Sequence, residues 1–583
     1  MTETRLNSSS DTDIRLSLSG RMGVSLGRMT GTALPVIFVF VVIGVLCLLP
    51  MARLVWAALA PGGVLDLSIF LERAAKAATL RATLNTVDTA FFGAVLALLI
   101  GVPFALLVSM SDMAGRKLAG FLLLLPLMVA PQVTALSWMH LLGPSSALLG
   151  AFGLAPPPGS SNPLLGRGGI IALYGFQHAP IVFITVRAGL AGIPRDYVEA
   201  ARASGVRPLR VLLDVVLPLV RPYLAAGAAL AFVAGIGNFG IPALLGMPVN
   251  YLTLTTLIYQ QLSSYGSGVL PQVASLSILI GVLALLGVGL QGFALRGRGH
   301  RFTAGTSARF SLRGWRLPVS VLAFIVLLVM IALPILALVG TSLIPSYGVP
   351  LTWATLTFDN YAEVLTRQAS TIRAFVNSTS LAGAAAVILA LGAVPLAIAL
   401  THLSRRGQRL AHGLVDLPYA LPGIVLSSAC ILLFLKPLPL IGSLYGTAWI
   451  ILIAYLMRFL ALALKPVTTA IGQMSHDLLE AAASSGAGPL RRLLTITTPL
   501  AAPAAVAGAL LVFMTAFNEL TVSALLWSGG HETLGVILFS LEEAGLATHA
   551  AAVAVTTIVA VVVLLLAVDR LGHKLPAGVL PWR

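Results

Sequence analysis

The chain has 583 residues, 58% of them hydrophobic and only 10% charged, with a mean hydropathy of +0.97 and a formal net charge of +16. A chain this apolar cannot cover itself with a polar shell, which excludes an ordinary soluble fold and makes lipid the solvent for most of it. Its two cysteines, Cys47 and Cys430, both fall in apolar runs, so a disulfide framework and a cysteine metal site are excluded as well.

The first 32 residues are rich in Ser, Thr and Arg. They are expected to form a disordered cytoplasmic tail, since no small-residue cleavage site follows a short apolar core. Apolar runs of about 20 residues, long enough to cross a bilayer as helix, then recur along the chain, and about twelve spans are expected. In the first half they centre near Val41, Leu98, Leu125, Ile181, Ala229 and Leu283; in the second, near Leu327, Ile388, Val425, Ile453, Leu510 and Val561. The expected fold is an all-α polytopic membrane protein: a six-span repeat over 33–300, a basic linker over 301–316, a second six-span repeat over 317–575 and a short tail over 576–583. The 56 Gly and 34 Pro are tolerable in membrane helices, where neighbouring helices satisfy freed backbone groups.

Orientation follows from Arg and Lys, which cytoplasmic loops retain. Arg5, Arg15, Arg21 and Arg28 precede the first span, Arg116 and Lys117 follow the second, and Arg195, Arg202, Arg207, Arg210 and Arg221 follow the fourth. Arg296, Arg298, Arg301, Arg309, Arg313 and Arg316 follow the sixth, Arg405, Arg406 and Arg409 the eighth, and Arg491 and Arg492 the tenth. All lie on one side, which places both termini in the cytoplasm. Arg53, Arg73, Lys76, Arg81, Arg367 and Arg373 in the first outer loop of each half are exceptions. The basic balance is thus accounted for by topology and anionic lipid, and no nucleic-acid partner is expected.

The chain repeats itself. Asp196, Glu199, Ala200, Ala201, Gly205 and Pro208 recur 281 positions later as Asp477, Glu480, Ala481, Ala482, Gly486 and Pro489. Arg81, Asn85, Pro103 and Pro126 recur 292 positions later as Arg373, Asn377, Pro395 and Pro418. The difference puts an insertion of eleven residues in the first half, at the Gly/Pro/Ser-rich stretch after Leu154. Six spans per half make the two repeats run the same way through the membrane, about a pseudo-two-fold along its normal.

In each polar copy the Asp is expected to cap a short helix and the Glu to sit near its positive end. The Ala pair offers a face with little side chain, Gly205 or Gly486 ends the helix in a left-handed conformation, and Pro208 or Pro489 starts a second one. A single such elbow would read as well as a plain connector as it would as a docking device. Two copies in one register, while the flanking spans diverge, read as a docking device.

At these residues the chain resembles the permeases of binding-protein-dependent ABC importers, whose signature is Glu-Ala-Ala, three residues and Gly on the loop after the fourth of six spans. The resemblance covers both halves and implies a type I importer permease. It also implies that Asp196, Glu199, Ala200, Ala201, Gly205 and Pro208 dock one cytoplasmic ABC ATPase subunit, and that Asp477, Glu480, Ala481, Ala482, Gly486 and Pro489 dock a second copy. A periplasmic or extracytoplasmic substrate-binding protein would deliver the cargo. The fused two-half arrangement, with Gly237 to Gly246 and Phe517 to Leu526, looks most like the ferric-iron branch; thiamine, aminoethylphosphonate and polyamine remain alternatives. No Gly-x-x-x-x-Gly-Lys-Ser/Thr occurs, so no cofactor is expected on this chain, and ATP and Mg belong to the partner.

Polar residues within spans are the candidates for the translocation pathway. Asn238, Asn518 and Glu519 are singled out, Asn238 and Glu519 being related by the 281 offset; the competing reading is a helix-packing or helix-end hydrogen bond. Asn85, Asp88 and Asn377 are expected to pack or cap. His140, His178 and His402 lie near span ends without a paired ligand, and no metal site is expected. A twelve-helix secondary transporter would share the parallel repeat but not these elbows, and a membrane enzyme would need a repeated acid or metal constellation that is not found.

Overall fold

Four spans accommodate a proline, each by the same device. Pro50, Pro218, Pro334 and Pro499 lack a backbone N–H and clash with the carbonyl four residues back. In each case that residue, Leu46, Asp214, Met330 or Thr495, is the centre of a five-residue π-turn, which relieves the clash without breaking the helix.

The structure, a computed structural model, describes residues 35–60, 63–157, 159–264, 268–296, 310–437 and 442–571. The expected tails, 1–32 and 576–583, and most of the linker lie outside the described residues. Among those described, ten helices are long and apolar enough to cross a membrane, and three further pairs pass as bent units.

The first repeat comprises α1 (Pro35–Leu59), α2 (Ala77–Met110), α3 (Arg116–Leu127), α4 (Pro131–Leu142), α5 (Arg167–Ala191), α6 (Arg195–Ala203), α7 (Pro208–Gly237), α8 (Gly240–Leu245), α9 (Leu254–Leu262) and α10 (Val269–Arg296). The second follows the same order with α11 (Arg313–Ser342), α12 (Ala369–Thr401), α13 (Arg405–Ala420), α14 (Gly423–Phe434), α15 (Ala448–Gly472), α16 (His476–Ser484), α17 (Leu490–Phe517), α18 (Ser523–Leu526), α19 (Leu534–Glu543) and α20 (Ala547–Leu571). The starts of α2 and α12 lie 292 positions apart, and α5 with α6 starts 281 positions before α15 with α16, so the offset changes in the loop before α5, where the insertion is expected.

The third and ninth spans differ from expectation. Neither is continuous: α3 and α4 meet at 103°, α13 and α14 at 98°. Proline is the physical cause, because the residue before it is pushed out of the helical region. Ala130 before Pro131 has ψ 141° and Leu421 before Pro422 has ψ 147°. Pro131 and Gly423, the first residues after the breaks, are themselves 292 positions apart, so the interruption belongs to the repeat.

The repeats interlock. Helix α1 packs on α14 of the other repeat and on its own α10; α11 packs on α4 of the other repeat and on α20. Within the first repeat, α2 and α5 form the most extensive contact, and glycine permits it: a Cβ on Gly93 would stand 2.5 Å from that of Tyr174. One buried apolar cluster runs through both halves.

The end of the linker is fixed to the first repeat. The Phe310 N–H donates to the Met110 carbonyl at 2.6 Å, and the Asp112 carboxylate accepts from the Leu312 N–H at 2.9 Å and the Ser311 hydroxyl at 3.2 Å. Helix α11 begins at Arg313, so the last residues of the expected linker are helical.

Candidate functional site

Two constellations stand out, the elbows on the basic face and the paired span breaks between the repeats. Each elbow has the same backbone closure. In the first, the N–H groups of Ser204, Gly205 and Val206 donate to the carbonyls of Ala200, Arg202 and Ala201; in the second, those of Ser485, Gly486 and Ala487 donate to Ala481, Ala483 and Ala482. The Ser204 and Ser485 hydroxyls cap the same Ala200 and Ala481 carbonyls at 3.0 and 2.9 Å. Gly205 and Gly486 take φ of +74° and +78°, the left-handed turn such a closure requires. Pro208 and Pro489 begin the next helices.

The acids sit differently from expectation. Asp196 and Asp477 do not cap: each helix starts one residue earlier, at Arg195 or His476, and the Asp lies in its first turn. The preceding residue is Pro194 in the first copy, without a side-chain cap, and Ser475 in the second, whose hydroxyl accepts from the Asp477 N–H at 3.2 Å. Both acids still face the positive helix end. Glu199 pairs with Arg195 one turn earlier, while Val198 is fully buried and anchors the first elbow. Asp196, Glu199, Ala200, Asp477, Glu480 and Ala481 are exposed, and Ala201 and Ala482 half-buried. In the first copy, moreover, the Arg202 guanidinium lies 4.2 Å from the centre of the Phe310 ring; the second copy has Ala483 there.

At the span breaks, freed carbonyls meet polar side chains from the following long helix. The Gln177 amide of α5 donates to the carbonyls of Pro126 at 2.6 Å and Val129 at 3.1 Å and accepts from the Thr134 hydroxyl at 2.8 Å. At the equivalent position of α15 stands Arg458, which donates to the Leu421 carbonyl at 3.2 Å. Gln177 and Arg458 were not singled out from sequence. A lone Arg inside an apolar run is the signal, and the 281 offset, which pairs it with Gln177, is the confirmation.

Asn238, Asn518 and Glu519 lie just beyond helix ends rather than inside the spans. Asn238 follows α7 and accepts from the Ile241 N–H at 3.1 Å. Asn518 follows α17, and its carbonyl accepts from the Gln132 amide of the other repeat at 3.1 Å. Glu519 accepts from the Val522 N–H at 2.9 Å, the Ser523 N–H at 3.2 Å and the Thr521 hydroxyl. Both Asn238 and Glu519 are buried and close the turn into a short helix.

Two straps, α8 with α9 and α18 with α19, are pinned in parallel. Asn85 donates to the Leu252 carbonyl at 2.9 Å, and Asn377 to the Glu532 carbonyl at 3.0 Å. The hydroxyls of Thr86 and Ser378 each accept, at 2.8 Å, from the first N–H of the next helix, Leu254 or Leu534. Asp88 pairs with Arg167 at 2.6 Å. His178 lies in the middle of α5, not at its end as expected, and is buried. Among the described residues, no group of three His, Cys, Asp or Glu side chains is placed to hold a metal ion.

The family described as "Binding-protein-dependent transport system inner membrane component" matches residues 89–336 and again 393–579. The chain is 27% identical over 549 residues to a probable ABC transporter permease protein, y4fN, of Sinorhizobium fredii, which covers 92% of this chain and 94% of that protein. It is 25% identical to the ferric transport system permease protein FbpB of Actinobacillus pleuropneumoniae over 82% of this chain and 69% of that one. A putative 2-aminoethylphosphonate transport system permease protein, PhnV, of Salmonella paratyphi A is 27% identical over 35% of this chain and 75% of its own length.

Proposed function

The chain belongs to the family of binding-protein-dependent transport system inner membrane components, carries that domain twice, and is a multi-pass ABC importer permease; from this premise we propose that it carries ferric iron into the cytoplasm. The basic face is then cytoplasmic, and each elbow seats one ATPase subunit. Closure of the two ATPases on ATP draws the elbows together, and the interlocked repeats convert that motion into alternating access. Hydrolysis belongs to the ATPase subunits, and cargo arrives on a separate binding protein at the opposite face.

The observation that carries the coupling reading is the duplicated elbow, the same closure around Gly205 and Gly486 with the same small Ala pair, its first residue exposed and its second half-buried. Iron is favoured by the ferric permease relatives, which align with both repeats. The Asn238 and Glu519 side chains then act at the pathway by shaping its turns, since their oxygens are engaged by backbone N–H groups.

The test is ATP hydrolysis in proteoliposomes holding this chain, its ATPase and its binding protein, with ferric ion offered against thiamine, 2-aminoethylphosphonate and spermidine. Stimulation by ferric ion alone is expected. Stimulation by another cargo replaces iron and keeps the importer reading; an ATPase that does not bind the chain removes the coupling role of the elbows.

A further inference from the structure

Phe310, at the end of the linker, is held on both sides by the loop after α2. Its N–H donates to the Met110 carbonyl at 2.6 Å and its carbonyl accepts from the Asp112 N–H at 3.3 Å, which pairs Phe310 with Ser111 in a parallel bridge. Helix α11, which begins at Arg313, is seated on the same loop without help from the Phe310 side chain. The Ser320 hydroxyl accepts from the Ala114 N–H at 3.0 Å, the Asp112 carboxylate accepts from the Leu312 N–H at 2.9 Å, and a Cβ on Gly115 would stand 2.8 Å from the Phe324 ring.

The corresponding loop of the second repeat is used differently. Ser404, 292 positions after Asp112, caps its own helix α13 by accepting from the Gly407 N–H at 3.1 Å. In the first repeat the residue before α3 is Gly115, without a side-chain cap, and the Asp112 carboxylate is committed to the linker.

With its backbone fixed in this way, the Phe310 ring meets the first elbow. The Arg202 guanidinium lies 4.2 Å from the ring centre, within the range at which a cation is attracted to an aromatic face. Both residues are half-buried, and Phe310, Leu312 and Ala201 pack against one apolar cluster. A basic residue in the last turn of α6 complements the negative helix end whatever it rests on; the ring adds a fixed seat. The second elbow cannot repeat the contact, because Ala483 stands in place of Arg202 and the last turn of α16 has no basic residue.

We propose that Phe310 is a positioning residue for coupling: the end of the linker acts as a strut that ties the first elbow, through Arg202, to the start of α11 in the second repeat. The two elbows are then unequal. The first moves with a span of the other repeat, and the second lacks this tie. The inference rests on the permease reading and adds the linker to the elements that carry ATPase motion to the spans.

The experiment is amide exchange over both elbows of the purified full-length chain in nanodiscs, comparing the native protein with F310L, F310Y, R202Q and F310L/R202Q. Leu keeps the apolar bulk and the backbone bonds at this position and removes the ring face; R202Q removes the same contact from the elbow side and leaves the linker intact. Exchange across α6 should rise about two- to fivefold in F310L, the size of one exposed cation–ring contact. It should stay native in F310Y and rise no further when F310L is added to R202Q. Exchange across α16 should be the same in every variant. Native exchange across α6 in F310L, an equal rise in F310Y, additive effects in the double variant, or a matching rise across α16 overturns the strut. In proteoliposomes with the ATPase and the binding protein, F310L should lower cargo uptake per ATP hydrolysed and F310Y should restore it; an unchanged ratio in F310L overturns the coupling role. Absence of ATP-driven uptake of every cargo by the native complex would remove the permease reading, while the exchange result still decides whether Phe310 holds the elbow.

Discussion

Gln132 and Asn518 join the two repeats directly, the buried Gln132 amide of α4 donating to the Asn518 backbone carbonyl at 3.1 Å. The bond has no counterpart in the symmetric position, where Ile424 and Gly237 stand. It therefore fixes one side of the interface between repeats and leaves the other to apolar contact.

Replacing Gln132 by Leu keeps the volume and strands the Asn518 carbonyl. A buried acceptor left unpaired costs about 1–3 kcal/mol. The expected result is a lower unfolding midpoint of the purified chain in nanodiscs; an unchanged midpoint would show that the bond contributes nothing.

Gly205→Val and Gly486→Val test the elbow through its backbone. Nothing lies within 4 Å of an added Cβ at either position, so the penalty is conformational rather than steric. A left-handed residue with a Cβ costs about 1–2 kcal/mol, and a β-branched one suffers most. Uptake should fall in both Val variants and recover in Gly205→Asn and Gly486→Asn, since Asn tolerates that region. Equal loss with Asn would point to a contact made by the glycine itself.

Asn85→Ala and Asn377→Ala free the straps. Each leaves backbone carbonyls of the following strap without their donor, that of Leu252 in one case and those of Gly530 and Glu532 in the other. Faster amide exchange across α9 in the first variant and α19 in the second is expected, each confined to its own repeat. Exchange that rises equally in both straps would contradict independent pinning.

The elbows were legible because their signals are local: a Gly that ends a helix, a Pro that starts one, and an offset that holds without gaps across each copy. The capping role assigned to Asp196 and Asp477 failed by one residue, since Pro194 already supplies an extended residue before the helix and Ser475 is the better-placed acceptor in the second copy. The breaks at Ala130 and Leu421 were hidden for another reason. An apolar run of membrane length reads the same whether or not a proline divides it, and Pro103 and Pro395 show that proline alone does not divide a span. Arg458 was overlooked because basic residues were weighed as loop markers, a logic that says nothing about an Arg inside a span.

The tie between the linker and the first repeat should depend on pH. The Asp112 carboxyl is held below the usual Asp value chiefly by the Leu312 N–H. A depressed folded-state pKa contributes stability above the ordinary Asp range and loses it as pH falls through the depressed value. Protection of the Leu312 amide from exchange should thus persist at neutral pH and decline in strong acid, and Asp112→Asn should abolish that dependence. A protected amide with the same pH profile in the variant would assign the effect elsewhere.

The central claim is that the two exposed elbows transmit the work of ATP hydrolysis to the spans. The most direct measurement is ATP-driven cargo uptake in proteoliposomes containing the full complex with Glu199→Lys and Glu480→Lys together, with insertion of the chain checked in the same vesicles. Uptake should be lost while the chain remains folded and inserted. Normal uptake by the double variant would contradict the account, because the charge of both elbows would then be irrelevant to transport.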